Sequence, residues 1–330
     1  MGTRFYPFIL LAILFTACTS EEDPLDPQNE APTIQSEAIY DVILEEDVIY
    51  GEGLSHDSIN SASSTVMSLK LDIYVPDNEV KNRPAFLFIH GGGFIGGSKK
   101  GNNADVLADY YTSRGWVFVS IDYRLRADKG TVPSEWVSYA ENLDPGQDAS
   151  QFLAIYPAHR DAKAALRWLV ANEVTYNINT DYITVGGGSA GAITAISLGI
   201  SNEEDYRDEL TITEDPTLNS TNLNQSYKIR TIVDFWGSKV GLDALDQIYG
   251  LQRFDANDPP LYIAHGTEDP TVLFSEGEAL KATYDSLGIP VAYYPLEGAG
   301  HGAWNATVDG KRLEELAFEF IVEQQALTVE

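Results

Sequence analysis

The chain has one cysteine, two methionines and five histidines among its 330 residues. With Cys18 alone, no intramolecular disulfide, no all-cysteine metal site and no Cys-x-x-Cys redox pair can form. The histidines, at 56, 90, 159, 265 and 301, show no H-E-x-x-H or similar ligand spacing, so neither a metal nor a cofactor is expected. Positive charge is scarce as well. Twenty-one Lys and Arg stand against 50 Asp and Glu, a formal net charge of -29. Such a field repels phosphate backbones, which excludes nucleic acid as a partner. Beyond Cys18 no apolar run reaches the ~20 residues of a membrane span, and no internal repeat or heptad is visible.

The position of that cysteine carries information. Arg4 precedes an apolar run from Phe5 to Ala17, broken at Pro7 and Thr16, which is too short to span and suits the apolar core of a signal peptide. Phe15-Thr16-Ala17-Cys18 resembles a bacterial lipoprotein signal, cut before the cysteine so that its thiol carries the lipid. This implies a signal peptide at 1–17, lipid attachment at Cys18 and an exported outer-membrane lipoprotein. Thr19-Ser20-Glu21-Glu22-Asp23 is similar to acidic tags that send lipoproteins to the outer face of that membrane. An ordinary secretory signal is the alternative. Residues 18–37, rich in Glu, Asp, Pro, Asn and Gln, read as an acidic flexible tether, leaving 38–330 as one folded domain.

Within 38–330, strand-like and helix-like runs alternate. Met67, Leu69, Leu71, Ile73 and Val75 alternate with more polar neighbours, whereas 85–89, 116–121, 182–185, 231–235 and 261–264 are nearly continuous apolar runs. The first pattern suits a half-buried strand, the others parallel strands covered on both faces. Ala158, Ala162, Ala165, Leu166, Leu169 and Val170 form one helical stripe, as do Leu313, Leu316, Ala317, Phe320 and Ile321. The expectation is an α/β fold with a mainly parallel central sheet flanked by helices, preceded by an antiparallel pair from about 38 to 76. Residues 124–157 and 201–228 interrupt the rhythm and read as lid-like insertions. Their Trp136, Tyr139, Tyr156, Tyr206 and Tyr227 suit stacking on sugar or aryl rings, or packing within a lid.

Four loops carry the chemistry. Gly187-Gly188-Ser189-Ala190-Gly191 follows the run 182–185 and opens the helical stretch 190–200, the strand-turn-helix setting of a nucleophile elbow. His90-Gly91-Gly92-Gly93-Phe94 follows the run 85–89, where a glycine-rich loop turns backbone N–H groups into a cavity. No G-x-x-x-x-G-K-[ST] is present to make it a phosphate loop. Asp269, with Glu268 as the competing acid, follows the run 261–264, and His301 sits between glycines at 300 and 302. The order Ser, Asp, His is that of an α/β-hydrolase triad. A serine hydroxyl needs just these parts: a base, a carboxylate to orient the base, and donors for the oxyanion.

The motifs HGGGF at 90–94, DYRL at 122–125, GGSAG at 187–191, HGTEDPTV at 265–272 and GAGHG at 298–302 together resemble an α/β-hydrolase esterase of the hormone-sensitive-lipase and carboxylesterase group. The resemblance covers about 71–301. It implies the α/β-hydrolase fold, with Ser189 as nucleophile, His301 as base and Asp269 as its partner. It further implies an oxyanion hole from the N–H groups of Gly92, Gly93 and Ala190, with His90 orienting its loop. One departure stands out: Gly188 occupies a place where the family often has Asp or Glu. Phe94, Trp236 and Trp304 are candidates to line a substrate pocket, with core packing the alternative for Trp236, and His159 reads as a capping or surface residue at a helix start. The expected function is ester hydrolysis through an acyl-enzyme on short-chain or carbohydrate-linked acetyl or feruloyl esters. The alternatives are an amide-type hydrolase, arylformamidase-like or peptidase-like, and a non-catalytic binding lipoprotein on the same fold.

Overall fold

A computed structural model describes residues 1–2, 30–101 and 103–330. The expected signal peptide beyond Gly2, the lipid site Cys18 and the tether up to residue 29 lie outside the described residues.

Eight strands make the central sheet: β1 Val42–His56, β2 Ser64–Pro76, β3 Arg83–Ile89, β4 Val117–Ile121, β5 Ile178–Gly188, β6 Ile229–Phe235, β7 Leu261–Gly266 and β8 Val291–Leu296. Their spatial order is β1-β2-β4-β3-β5-β6-β7-β8. β1 pairs antiparallel with β2, and β2 antiparallel with β4; every later pairing is parallel. The helices are α1 Ala104–Thr112, α2 Ser134–Ala140, α3 Ala149–Ala171, α4 Glu173–Tyr176, α5 Ala190–Ile200, α6 Val240–Tyr249, α7 Phe274–Leu287 and α8 Leu313–Gln325. This is the α/β-hydrolase arrangement expected from the sequence.

β3 and β4 are buried along their whole length, and their alternate side chains enter two different cores. Ala85, Leu87, Ile89, Val117 and Val119 pack with α3, α5, α6 and α7; Phe86, Phe88 and Phe118 pack with α1 and α8. The period-2 alternation of a strand therefore explains why these runs are apolar at every position. Register brings the carboxyl ends together. Ile89 lies opposite Gly187, Gly187 opposite Asp234, and Phe235 opposite Ala264, so the loops that follow β3, β5, β6 and β7 emerge side by side.

Three expectations need correction. First, the folded body starts before residue 38: Thr33–Ile34 pairs in parallel with Thr328–Val329, and Ile34 is fully buried in the α1/α8 core. The polar composition concealed one apolar side chain whose partners are remote in sequence.

Second, α3 begins well before Ala158. Asp148 caps it by accepting from the N–H groups of Ser150 and Gln151, and the helix runs through Pro157. A proline at that point reads as a terminator because it removes a helix donor. His159 consequently lies inside α3, fully buried, with Thr194 Oγ1 on α5 3.5 Å from its Nδ1. Burial, with Lys163 nearby, pushes its pKa down to about 3.

Third, the insertions are packed to the body by buried charge. Arg124 makes a forked pair with Asp161 of α3, at 2.6 Å from Nη2 and 2.9 Å from Nε. Arg160 Nη1 binds Asp215 at 2.8 Å, Lys163 Nζ donates to the carbonyls of Asn202 and Asp205, and Arg167 Nε to that of Thr221. Trp136, Tyr156 and Tyr206 are fully buried and lie within 6 Å of one another, so they pack the insertions and present no face for a sugar.

Candidate active site

The turn between β5 and α5 is tight enough that a Cβ on Gly191 would lie 1.9 Å from the Ile89 carbonyl oxygen. Only glycine fits there. Ser189 itself holds φ 56°, ψ -122°, backbone that a non-glycine residue avoids and that concentrates at functional sites. Its N–H donates to the Phe235 carbonyl at 2.9 Å, which locks the elbow to the end of β6.

Ser189 Oγ is 2.9 Å from His301 Nε2, and His301 Nδ1 is 2.7 Å from Asp269 Oδ2. A carboxylate accepts only, so Nδ1 carries the proton and Nε2 is left to accept from the serine hydroxyl. The other oxygen of Asp269 accepts from the N–H groups of Thr271, at 2.8 Å, and Val272, at 3.1 Å. Glu268 is exposed and, among the described residues, no hydrogen bond or ion pair joins it to His301, whereas Asp269 makes both, so geometry separates the two candidate acids. Exposure is graded across the triad: the Asp269 side chain is fully covered, while that of His301 is 23% exposed.

The loop after β3 leaves the sheet beside the Ser189 turn. Gly92 and Gly93 take φ 118° and 62°. Among the described residues, the N–H groups of Gly92, Gly93 and Ala190 have no acceptor, so three donors are free beside the hydroxyl-bearing turn. His90 lies beneath, buried and stacked on Tyr123 at 4.3 Å, with its Nδ1 2.7 Å from the Gly91 carbonyl. Burial holds it below the ordinary histidine range, so it stays neutral and serves to shape the loop. Phe94 differs from expectation. Its positive φ of 60° turns the ring inward against Tyr123 and His159, and at 3% exposure it supports the loop and offers substrate almost no surface. Trp236 is 1% exposed, and Trp304, half-buried, packs edge-on against it.

Three supporting residues carried no assigned role in the sequence. Gln151 Nε2 donates to the Gly93 carbonyl at 2.8 Å, a long-range contact without a local signal. Tyr123, inside the DYRL motif, donates its hydroxyl to the His90 carbonyl at 2.9 Å. His265 is fully buried, 2.9 Å from the Val272 carbonyl through Nε2, and burial lowers its pKa. Its place in HGTEDPTV, one turn before Asp269, was the available signal. No group of three or more His, Cys, Asp or Glu among the described residues is placed to hold a metal ion.

A profile of the family described as BD-FAE matches residues 71–136 and 149–249, just over half of the chain. Among curated proteins, the chain is 25% identical over 253 residues to esterase LipC of Mycobacterium tuberculosis, covering 68% of this chain and 54% of that protein. It is 26% identical over 210 residues to carboxylesterase 1C of Rattus norvegicus, covering 61% and 35%. The chain thus spans about half, or less, of the length of these relatives. Among solved structures, the apo form of Thermogutta terrifontis esterase 2 is similar with a TM-score of 0.57 and 24% identity, over 86% of this chain and 98% of that one. The same esterase phosphonylated by sarin gives a TM-score of 0.55 at 25% identity, over 78% and 90%. With its matched profile and its sheet order, the chain belongs to the BD-FAE family and has an α/β-hydrolase fold.

Proposed function

We propose that this chain is a serine carboxylic ester hydrolase that works through an acyl-enzyme. The observation that carries the reading is the continuous hydrogen-bonded line Ser189–His301–Asp269 beside three unengaged N–H groups. In this reading Ser189 Oγ attacks the acyl carbon as its proton passes to His301 Nε2. The carbonyl oxygen becomes an oxyanion, received by the N–H groups of Gly92, Gly93 and Ala190. Protonated His301, oriented by Asp269, then gives its proton to the departing alcohol oxygen. Water repeats the sequence: it loses a proton to His301, attacks the acyl-serine and releases the acid and a restored hydroxyl.

The esterase names of the curated relatives support the reaction class. A complete triad favours catalysis over a purely binding role. Short-chain or carbohydrate-linked esters, acetyl or feruloyl, are the proposed substrates. A net charge of -29 opposes polyanionic substrates and leaves esters on neutral glycans as the better match. On the strength of the N-terminal sequence alone, the reading also tethers the domain to the outer membrane through a lipid on Cys18.

Purified protein should hydrolyse acetyl and butyryl esters faster than palmitoyl esters, and release acetate or ferulate from plant or algal glycans. Turnover of formamides or peptides with none of esters would overturn the ester reading. Good turnover of synthetic esters with no release from glycans would reduce it to a general carboxylesterase.

A further inference from the structure

Position 188, directly before the nucleophile, has no side chain, and two indoles explain why. A Cβ on Gly188 would lie 2.7 Å from Trp304 Cζ2, well inside contact distance, and 3.6 Å from Trp236 Nε1. Trp304 is anchored: its ring centroid lies 4.9 Å from Phe235, 4.6 Å from Trp236 at 74°, and 6.4 Å from Phe88. Trp236 is held behind it at φ 48°, a conformation that bulky residues avoid. Its N–H donates to the Ala264 carbonyl at 2.8 Å, and the following Gly237 N–H to Asp234 Oδ1 at 2.6 Å. The Trp236 ring also meets that of His301 edge-on at 6.4 Å. A rigid apolar wall therefore runs from the backbone before Ser189 to the base, and Trp304 is its half-buried member.

We propose that Trp304, backed by Trp236 and accommodated by Gly188, is the specificity-determining wall of the acyl subsite and restricts it to groups of acetyl to butyryl size. This rests on the ester-hydrolase reading and narrows it to acetyl rather than feruloyl esters. The wall is assigned to the acyl side for two reasons. The acyl group stays bonded to Ser189 Oγ, next to the residue on which the wall stands. The alcohol must receive its proton from His301 Nε2, and His301 is the solvent-facing member of the triad, at 23% side-chain exposure.

The test is the ratio of kcat/KM across acetyl, butyryl, octanoyl and feruloyl esters for the wild type, Trp304→Ala and Gly188→Ala. Fluorophosphonate labelling of Ser189 confirms that each variant retains a formed site. One methylene admitted to an apolar pocket changes the ratio roughly tenfold or more. Trp304→Ala should therefore raise octanoyl over acetyl turnover at least about tenfold. Gly188→Ala, which pushes the indole into the subsite, should lower butyryl relative to acetyl. If both variants label normally and keep the wild-type ratios, or if all esters slow in parallel, the proposal is overturned and the ester-hydrolase reading stands. A wild-type chain that turns over no ester and takes no label overturns both.

Discussion

Trp236 and Trp304 stand beside Ser189, whereas Trp136, Tyr156 and Tyr206 pack edge-on and tilted against one another around α3. The two groups are alike in chemistry and differ in what surrounds them. The first borders free backbone donors and a serine in strained conformation. The second sits beside ion pairs that are almost fully covered, Arg124–Asp161 and Arg160–Asp215. Aromatic rings bring area and rigidity to either setting. What they contribute, turnover or stability, follows from their neighbours.

The largest test of this division lies at the site end. Ser189→Ala or His301→Ala should each reduce kcat by about 10⁵ to 10⁶, and the double variant should lose little more, because triad members act as a unit. The melting temperature should stay close to that of the wild type. A variant that loses activity and stability together would blur the distinction between the regions.

At the other end, Asp161→Asn leaves the Arg124 guanidinium buried without its forked partner. Breaking such a pair costs about 3 to 5 kcal/mol. Urea unfolding should show that loss, while acetyl-to-octanoyl selectivity of the folded variant remains that of the wild type. A loss below about 1 kcal/mol would mean that the pair behaves like an exposed one.

The smallest effect concerns Asp234 near the end of β6, which accepts from the Gly237 N–H just after Trp236. Burial raises the Asp234 carboxyl from its ordinary 3.8 to about 7. The folded chain then keeps a proton that the unfolded chain has already lost. Stability attributable to this group is complete below about pH 4 and falls as pH rises toward 7. Lys163, lowered to about 7 by burial, has the opposite sign and acts above that value, where stability rises with pH toward 10.5. Asp234→Asn should therefore flatten the decline in melting temperature between pH 5 and 7 and leave the alkaline limb in place. An unchanged slope in that window would contradict a raised Asp234.

The site was legible because its signals are local. Each motif combines a buried strand with a turn, and the chain order Ser189, Asp269, His301 suffices to assign roles by resemblance. The sheet was legible for the same reason, since a strand covered on both faces is apolar at every position. What escaped depends on distant partners. Arg160, Lys163 and Arg167 carry no assignment in the sequence, and they are buried where Asp215, Asn202, Asp205 and Thr221 meet them from the insertion. The apolar stripe is visible only from Ala158, yet the Asp148 cap starts the helix upstream of it and the helix runs through Pro157. Ile34 lies in a polar stretch and finds its core only through the C-terminal strand. Gly188 reads as a departure from a family pattern and is explained only by an indole more than a hundred residues away.

The central claim, that Ser189 is the residue that becomes acylated, is tested most directly by fluorophosphonate treatment followed by peptide mass analysis. The account predicts a single adduct on the peptide containing Ser189, formed in step with loss of ester turnover and absent from Ser189→Ala. An adduct elsewhere that accounts for the inactivation, or undiminished ester hydrolysis by Ser189→Ala, would contradict it.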